Sequence, residues 1–117
     1  MVISIFLWNS GFSIKTGLFV VKSSLQYFLC KLMNKVILIT GGTGSFGQTF
    51  TKYVCNKFKP KKIIIFSRDE YKQFNLSKKF IGPKYKGLRF FLGDVRDKSR
   101  LVSSLNNVDF VVHAAAL

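Results

Sequence analysis

Acidic side chains are scarce in this chain: five Asp and Glu face 19 Lys and Arg across 117 residues, a formal net charge of +14. Such an excess raises a nucleic-acid reading. However, Lys57, Lys59, Lys61, Lys62, Lys78, Lys79, Lys84 and Lys86 fall in expected loops and on polar helix sides, with no recognition motif among them. A solvated basic surface is the favoured account, one that also attracts an anionic nucleotide, and no nucleic-acid partner is expected. Histidine and cysteine are equally sparse. Cys30, Cys55 and the single His113 have no metal-type spacing, which excludes a zinc cluster; no metal site is expected. Two cysteines without a disulfide framework suit a reducing, cytoplasmic compartment. His113 ends an expected strand and reads as structural. No apolar run reaches the ~18 residues a membrane span needs. The hydrophobic fraction of 48% is that of a folded chain and excludes a disordered one. The length suits one small domain.

What is present is concentrated in one run. Val36-Ile37-Leu38-Ile39 is a short apolar strand that leads through Thr40 into Gly41-x-x-Gly44-x-x-Gly47, and a helical pattern follows. A strand, a glycine triplet and a helix in that order form a cradle for a pyrophosphate. Gly41 permits the tight turn, Gly44 lets backbone approach the phosphates, and Gly47 lets the helix pack closely. The phosphates then face the free N–H groups and the positive dipole end of the helix.

Beyond it the chain alternates. A helix is expected over Ser45 to Phe58, with Phe46, Phe50, Val54 and Phe58 on one face and Pro60 as its stop. Ile63 to Phe66 reads as a second strand, Asp69 to Phe80 as a second helix that Gly82-Pro83 breaks, and Leu88 to Leu92 as a third strand. Asp97 caps a third helix through Leu105, and Val108 to His113 is a fourth strand. The pattern βαβαβαβ predicts an α/β fold of the NAD(P)-binding Rossmann type: a partial parallel sheet of about four strands in the order 3-2-1-4, with helices on both faces. The fourth strand is then expected to leave an open edge, met by homo-oligomerisation or by a complementing C-terminal fragment.

Residues 1–32 do not fit this pattern. They are rich in Phe, Ile, Leu and Val and carry no acid, and Met33 is a natural start for the domain over 33–117. As a membrane anchor the leader is interrupted by Asn9, Ser10, Lys15, Lys22 and Lys31; as a signal peptide it lacks a basic beginning. An extension from a misplaced start codon or a gene rearrangement is favoured, and a loose helix against the domain or a bilayer surface is its expected form. No stable membrane span is expected.

The end of the second strand separates NAD from NADP in such a fold. Ser67 stands where an acidic residue would accept from the ribose hydroxyl, and Arg68 can grip a 2′-phosphate through two N–H groups. Lys72 adds charge one helical turn on. Asp69 argues weakly the other way and is better explained as a helix N-terminal residue. The balance favours NADP. Asp94 and Val95, just past the third strand, suit the adenine edge and face, and the small side chains from Ala114 onward let backbone approach the cofactor ribose.

Thr40 to Gly47 resembles the extended short-chain dehydrogenase/reductase signature. With Ile63-Ile64-Ile65-Phe66-Ser67-Arg68-Asp69-Glu70, Arg89 to Asp97 and His113-Ala114-Ala115-Ala116-Leu117, residues 33–117 are similar to the C5-inverting UDP-N-acetylglucosamine 4,6-dehydratases of bacterial polysaccharide and flagellin-glycan biosynthesis. The resemblance implies that Gly41, Thr43, Gly44, Ser45, Phe46, Gly47, Ser67, Arg68, Asp69, Glu70, Lys72, Asp94, Val95 and Ala114 lie at positions that hold NADP. It implies a UDP-sugar substrate, oxidised at C4, dehydrated across C5 and C6, then reduced at C6. The family's catalytic Tyr-x-x-x-Lys pair and its substrate domain have no counterpart here; Tyr53 and Lys57 share that spacing by chance, on the first helix. No catalytic residue is therefore assigned, and the chain alone is expected to be inactive. The alternatives are a piece of another sugar-nucleotide epimerase or reductase, and a non-catalytic basic nucleotide-binding module.

Overall fold

The computed structural model describes residues 2–4 and 30–114. The strands are β1 (Val2–Ser4), β2 (Val36–Thr40), β3 (Lys62–Ser67), β4 (Leu88–Leu92) and β5 (Phe110–His113). The helices are α1 (Ser45–Lys57), α2 (Glu70–Lys79) and α3 (Lys98–Ser104), with a 3-10 turn at Pro83–Tyr85. All pairings are parallel, and the spatial order is β1-β5-β2-β3-β4.

Burial explains the order. Every residue of β2 is buried, as a strand flanked on both sides and covered on both faces must be. β4 has no fully buried residue, and it lies on an edge. Ile37, Ile39, Ile63, Ile65 and Val112 join Phe50, Val54 and Phe58 of the α1 segment in one apolar core. Phe80 stacks on Tyr85 with centroids 4.9 Å apart, which ties the end of α2 to the 3-10 turn.

The helix boundaries follow from their end chemistry. Asp69 caps α2 by accepting from the Lys72 amide at 3.0 Å, and Asp97 caps α3 by accepting from the Arg100 amide at 3.2 Å. Asp69 thus stands just before the helix rather than in its first turn. At its far end α1 closes on Phe58, whose amide donates to the Val54 carbonyl. Lys59 then takes a left-handed conformation (φ 44°), and Pro60 prevents any return to helix. At the opposite edge of the sheet from the glycine run, the Val36 amide donates to Asp109 Oδ2 at 2.8 Å and the Asp109 amide donates to the Val36 carbonyl at 2.9 Å. This reciprocal pair sets the register of β2 against β5.

The expected inner order of four strands is present, with a correction at its edge. The outer side of β5 is not open: β1 pairs along it, Val2 with Val111, Ile3 with Val112 and Ser4 with His113. Part of the segment expected as a loose helix is therefore a strand. Residues 1 and 5–29, and the residues after Ala114, lie outside the described residues. Leu32, just ahead of Met33, is fully buried in the core, and its carbonyl accepts from the Lys35 amide at 3.2 Å. Among the described residues no helix is long and apolar enough to cross a membrane.

Candidate functional site

Parallel strands bring their C-terminal ends to one edge, and here the register aligns them closely. Thr40 lies beside both Phe66 and His113, and Ser67 beside Leu92. The pairing runs one residue past each strand: the Gly41 amide donates to the Phe66 carbonyl at 2.9 Å, Gly93 to Ser67 at 2.8 Å and Ala114 to Thr40 at 3.0 Å. The segments from Gly41, Ser67, Asp94 and Ala114 therefore meet on one crest.

The glycine run forms a compact turn there. Gly41 is left-handed (φ 68°), a conformation that side-chain-bearing residues rarely adopt, and its carbonyl accepts from the Gly44 amide at 3.1 Å. A Cβ on Gly47 would lie 2.5 Å from Gly42 Cα, so the first turn of α1 sits directly on the loop. Gly44 is different: a Cβ there would meet only the Gly41 carbonyl oxygen, at 3.4 Å. The fold itself leaves room for a side chain at this exposed position. Ser45 is also exposed, whereas Thr43 is buried and its carbonyl accepts from Gln48 Nε2 at 2.8 Å. Phe46 faces inward and stacks on Phe50 with centroids 5.8 Å apart.

α1 also differs from α2 and α3 at its start. Its N-cap is Gly44, without a side-chain cap hydrogen bond, and its first turn carries no acid. The first-turn amides lack intrahelical acceptors and have no carboxylate in front of them. An anion fits that end.

Around β3 and β4 the charged residues cluster. The Asp94 carboxylate accepts from Arg96 Nε at 3.1 Å and Arg96 Nη2 at 2.8 Å, and from the Arg96 amide at 2.9 Å. Arg68 Nη1 stands 3.8 Å from the same carboxylate. The hydrogen bonds from the Arg96 side chain and backbone, then its charge and that of Arg68, hold Asp94 well below the usual carboxylate range. The Arg96 guanidinium is raised by the same pair. Asp94, expected at the adenine edge, lies just past β4 with its oxygens already engaged by Arg96. Arg68, Glu70 and Lys72 are exposed at the mouth of this region, and Val95 is half-buried.

Several residues that the sequence reading did not assign to the site shape the crest. Thr40 Oγ1 and His113 Nδ1 share a 2.6 Å hydrogen bond across β2 and β5. Gln73 reaches back from α2 to both Ser67 and the Phe91 carbonyl. Arg100 donates to the Leu92 carbonyl at 2.7 Å and lies over the Phe91 ring at 4.4 Å. Only His113 had a local signal, its place at a strand end. No group of acidic, histidine and cysteine side chains among the described residues could hold a metal.

A family model described as polysaccharide biosynthesis protein matches residues 37–117, more than half of the chain. The chain belongs to this family. Among its relatives, the UDP-N-acetylglucosamine 4,6-dehydratase (inverting) of Campylobacter jejuni is 58% identical over 83 residues, covering 71% of this chain and 24% of that protein. Two solved structures extend the likeness. Pen from Bacillus thuringiensis is 40% identical with a TM-score of 0.68, over 74% of this chain and 26% of that one. The dTDP-glucose 4,6-dehydratase of Bacillus anthracis, solved in complex with NAD, is 26% identical with a TM-score of 0.59, over 71% of this chain and 27% of that one. The chain therefore spans about a quarter of the length of the curated relatives it matches. The family match and these neighbours agree with the parallel α/β Rossmann fold read from the strand order.

Proposed function

We propose that residues 33–117 form the NADP-binding part of a C5-inverting UDP-N-acetylglucosamine 4,6-dehydratase. The observation that carries this reading is the start of α1: a left-handed Gly41, an open Gly44 and an uncapped, acid-free first turn, in a chain 58% identical to such an enzyme. The Gly44, Ser45 and Phe46 backbone would hold the pyrophosphate, with Gly47 keeping the helix close. Ser67 and Arg68, with Lys72 beyond, would hold the 2′-phosphate. Asp94 would orient Arg68 from 3.8 Å while Val95 covers the adenine, and Ala114 leaves room for the ribose. When bound, the dinucleotide supplies hydride-transfer chemistry. These residues bind and orient it; none is placed to take a proton from a sugar. The acid–base groups for a UDP-sugar substrate then come from outside these residues, as from a complementing C-terminal fragment. Two free cysteines accord with a reducing cytoplasm, where both nucleotides occur.

Calorimetric titration of the purified chain tests the reading. Saturable binding of NADP, tighter than NAD, is expected, without turnover of UDP-N-acetylglucosamine. Preference for NAD would reassign the 2′-phosphate site, and turnover would overturn the absence of catalytic groups. Salt-sensitive binding of bulk DNA with no affinity for either dinucleotide would favour a basic module instead.

A further inference from the structure

We infer that Gln73 is a positioning residue that fixes the polarity of the Ser67 hydroxyl, holding it as a hydrogen-bond donor for the phosphoryl oxygens of a ribose 2′-phosphate. The inference rests on the NADP reading above and deepens it.

Gln73 lies on the inner side of α2 and is only 7% exposed; Ser67, at the end of β3, is 8% exposed. Gln73 Nε2 stands 2.8 Å from Ser67 Oγ, 3.2 Å from the Phe91 carbonyl oxygen and 3.3 Å from the Ser67 carbonyl oxygen. The two carbonyls determine which way the amide faces. They can only accept, so the NH2 group must point at them; the reversed amide would set Oε1 against two carbonyl oxygens. An amide nitrogen has no acceptor capacity. Ser67 Oγ must therefore accept from Gln73, and its own hydrogen is left for another partner. No hydrogen bond donated by that hydroxyl is found among the described residues.

A hydroxyl set in this way suits a group made only of acceptors. A phosphate dianion is such a group, and Arg68 beside it supplies charge. A free ribose hydroxyl can also accept that hydrogen, but as a neutral acceptor it makes a weaker bond than a phosphate dianion does. Gln73 would thus favour NADP over NAD without touching either. It also ties β3 to β4 through Phe91, so the test must separate specificity from support.

The ratio of NAD to NADP dissociation constants does so, measured by calorimetry on the whole chain and on Gln73→Leu, Ser67→Ala and the double variant. Each single change is expected to lower the ratio by about tenfold, the scale of a lost hydrogen bond to a charged group. The double variant should fall no further. A ratio preserved in Gln73→Leu, with both affinities weakened alike, would mean support only and overturn the inference while leaving the NADP reading intact. An unaltered chain without NADP preference would overturn that reading and this one together. If Gln73→Leu does not fold, the Gln73 side-chain amide signal of the unaltered chain decides by NMR. A larger shift with NADP than with NAD supports the assignment, and equal shifts overturn it.

Discussion

At the scale of single residues, the glycines at the crest do different things. Gly47 answers to the fold: a Cβ there would press on the Cα, carbonyl carbon and oxygen of Gly42, at 2.5 to 2.7 Å. Those are backbone atoms that cannot swing away. Gly47→Ala should cost about 1–3 kcal/mol through overpacking, read as a lowered Tm with or without nucleotide. Unchanged stability would show that α1 does not sit on the loop as described. Asp94 offers a second residue-scale test. Its pKa is held down chiefly by the Arg96 hydrogen bonds, so Arg96→Ala should let it climb toward the ordinary value of about 3.9. The sign follows from linkage: a depressed carboxylate adds stability above its unfolded pKa, and that contribution is lost as pH falls through the folded value. The native chain should therefore lose stability on acidification below about pH 4, and Arg96→Ala should show less of that loss. Carboxyl NMR titration and melting at several pH values measure both; an Asp94 pKa unmoved in Arg96→Ala would refute the pairing.

At the scale of elements, helix ends divide the labour. α2 and α3 each begin on an aspartate that accepts from a first-turn amide, while α1 begins on a bare glycine. Capped starts stabilise the fold; the uncapped start is the one proposed to face the pyrophosphate. Asp69→Ala should cost about 1 kcal/mol through the lost cap. Because α2 carries Gln73, the same change should also loosen Ser67. Chemical denaturation measures the first effect, with an unchanged midpoint as the refuting result. Much of this was legible beforehand. The strand–glycine–helix order, Asp97 as a cap and the limits of β4 all rest on local chemistry, which a linear reading captures. Gln73 was not legible, because its partners lie six and eighteen residues away on two different strands. Nor was the Thr40–His113 bond, which spans 73 positions and exists only because β5 inserts beside β2.

At the scale of the whole molecule, the edges of the sheet matter most. β1 covers the outer side of β5, where an unpaired ladder of N–H and C=O groups would otherwise invite another chain. Deleting residues 1–29 keeps Leu32 in the core but removes that cover. The shortened chain should show more self-association than the full chain by light scattering at equal concentration. Equal behaviour would mean that β1 contributes nothing to guarding the edge. A basic surface of net charge +14 opposes such association at low salt, so the difference should widen as salt rises.

The sequence by itself determined the alternation of strand and helix, the glycine turn, the inner strand order and the residues that gather at the strand ends. Those features follow from hydrophobic period, backbone freedom and the handedness of parallel crossovers, all of which act over short stretches or apply to every such sheet. Tertiary structure alone decided that Val2–Ser4 closes the edge of β5, that Asp94 is engaged by Arg96 and approached by Arg68, and that Gln73 meets the Ser67 hydroxyl. Each of these is a pairing between groups whose separation is set by packing, and hydrogen-bonding capacity written in a sequence does not say which partner will meet it.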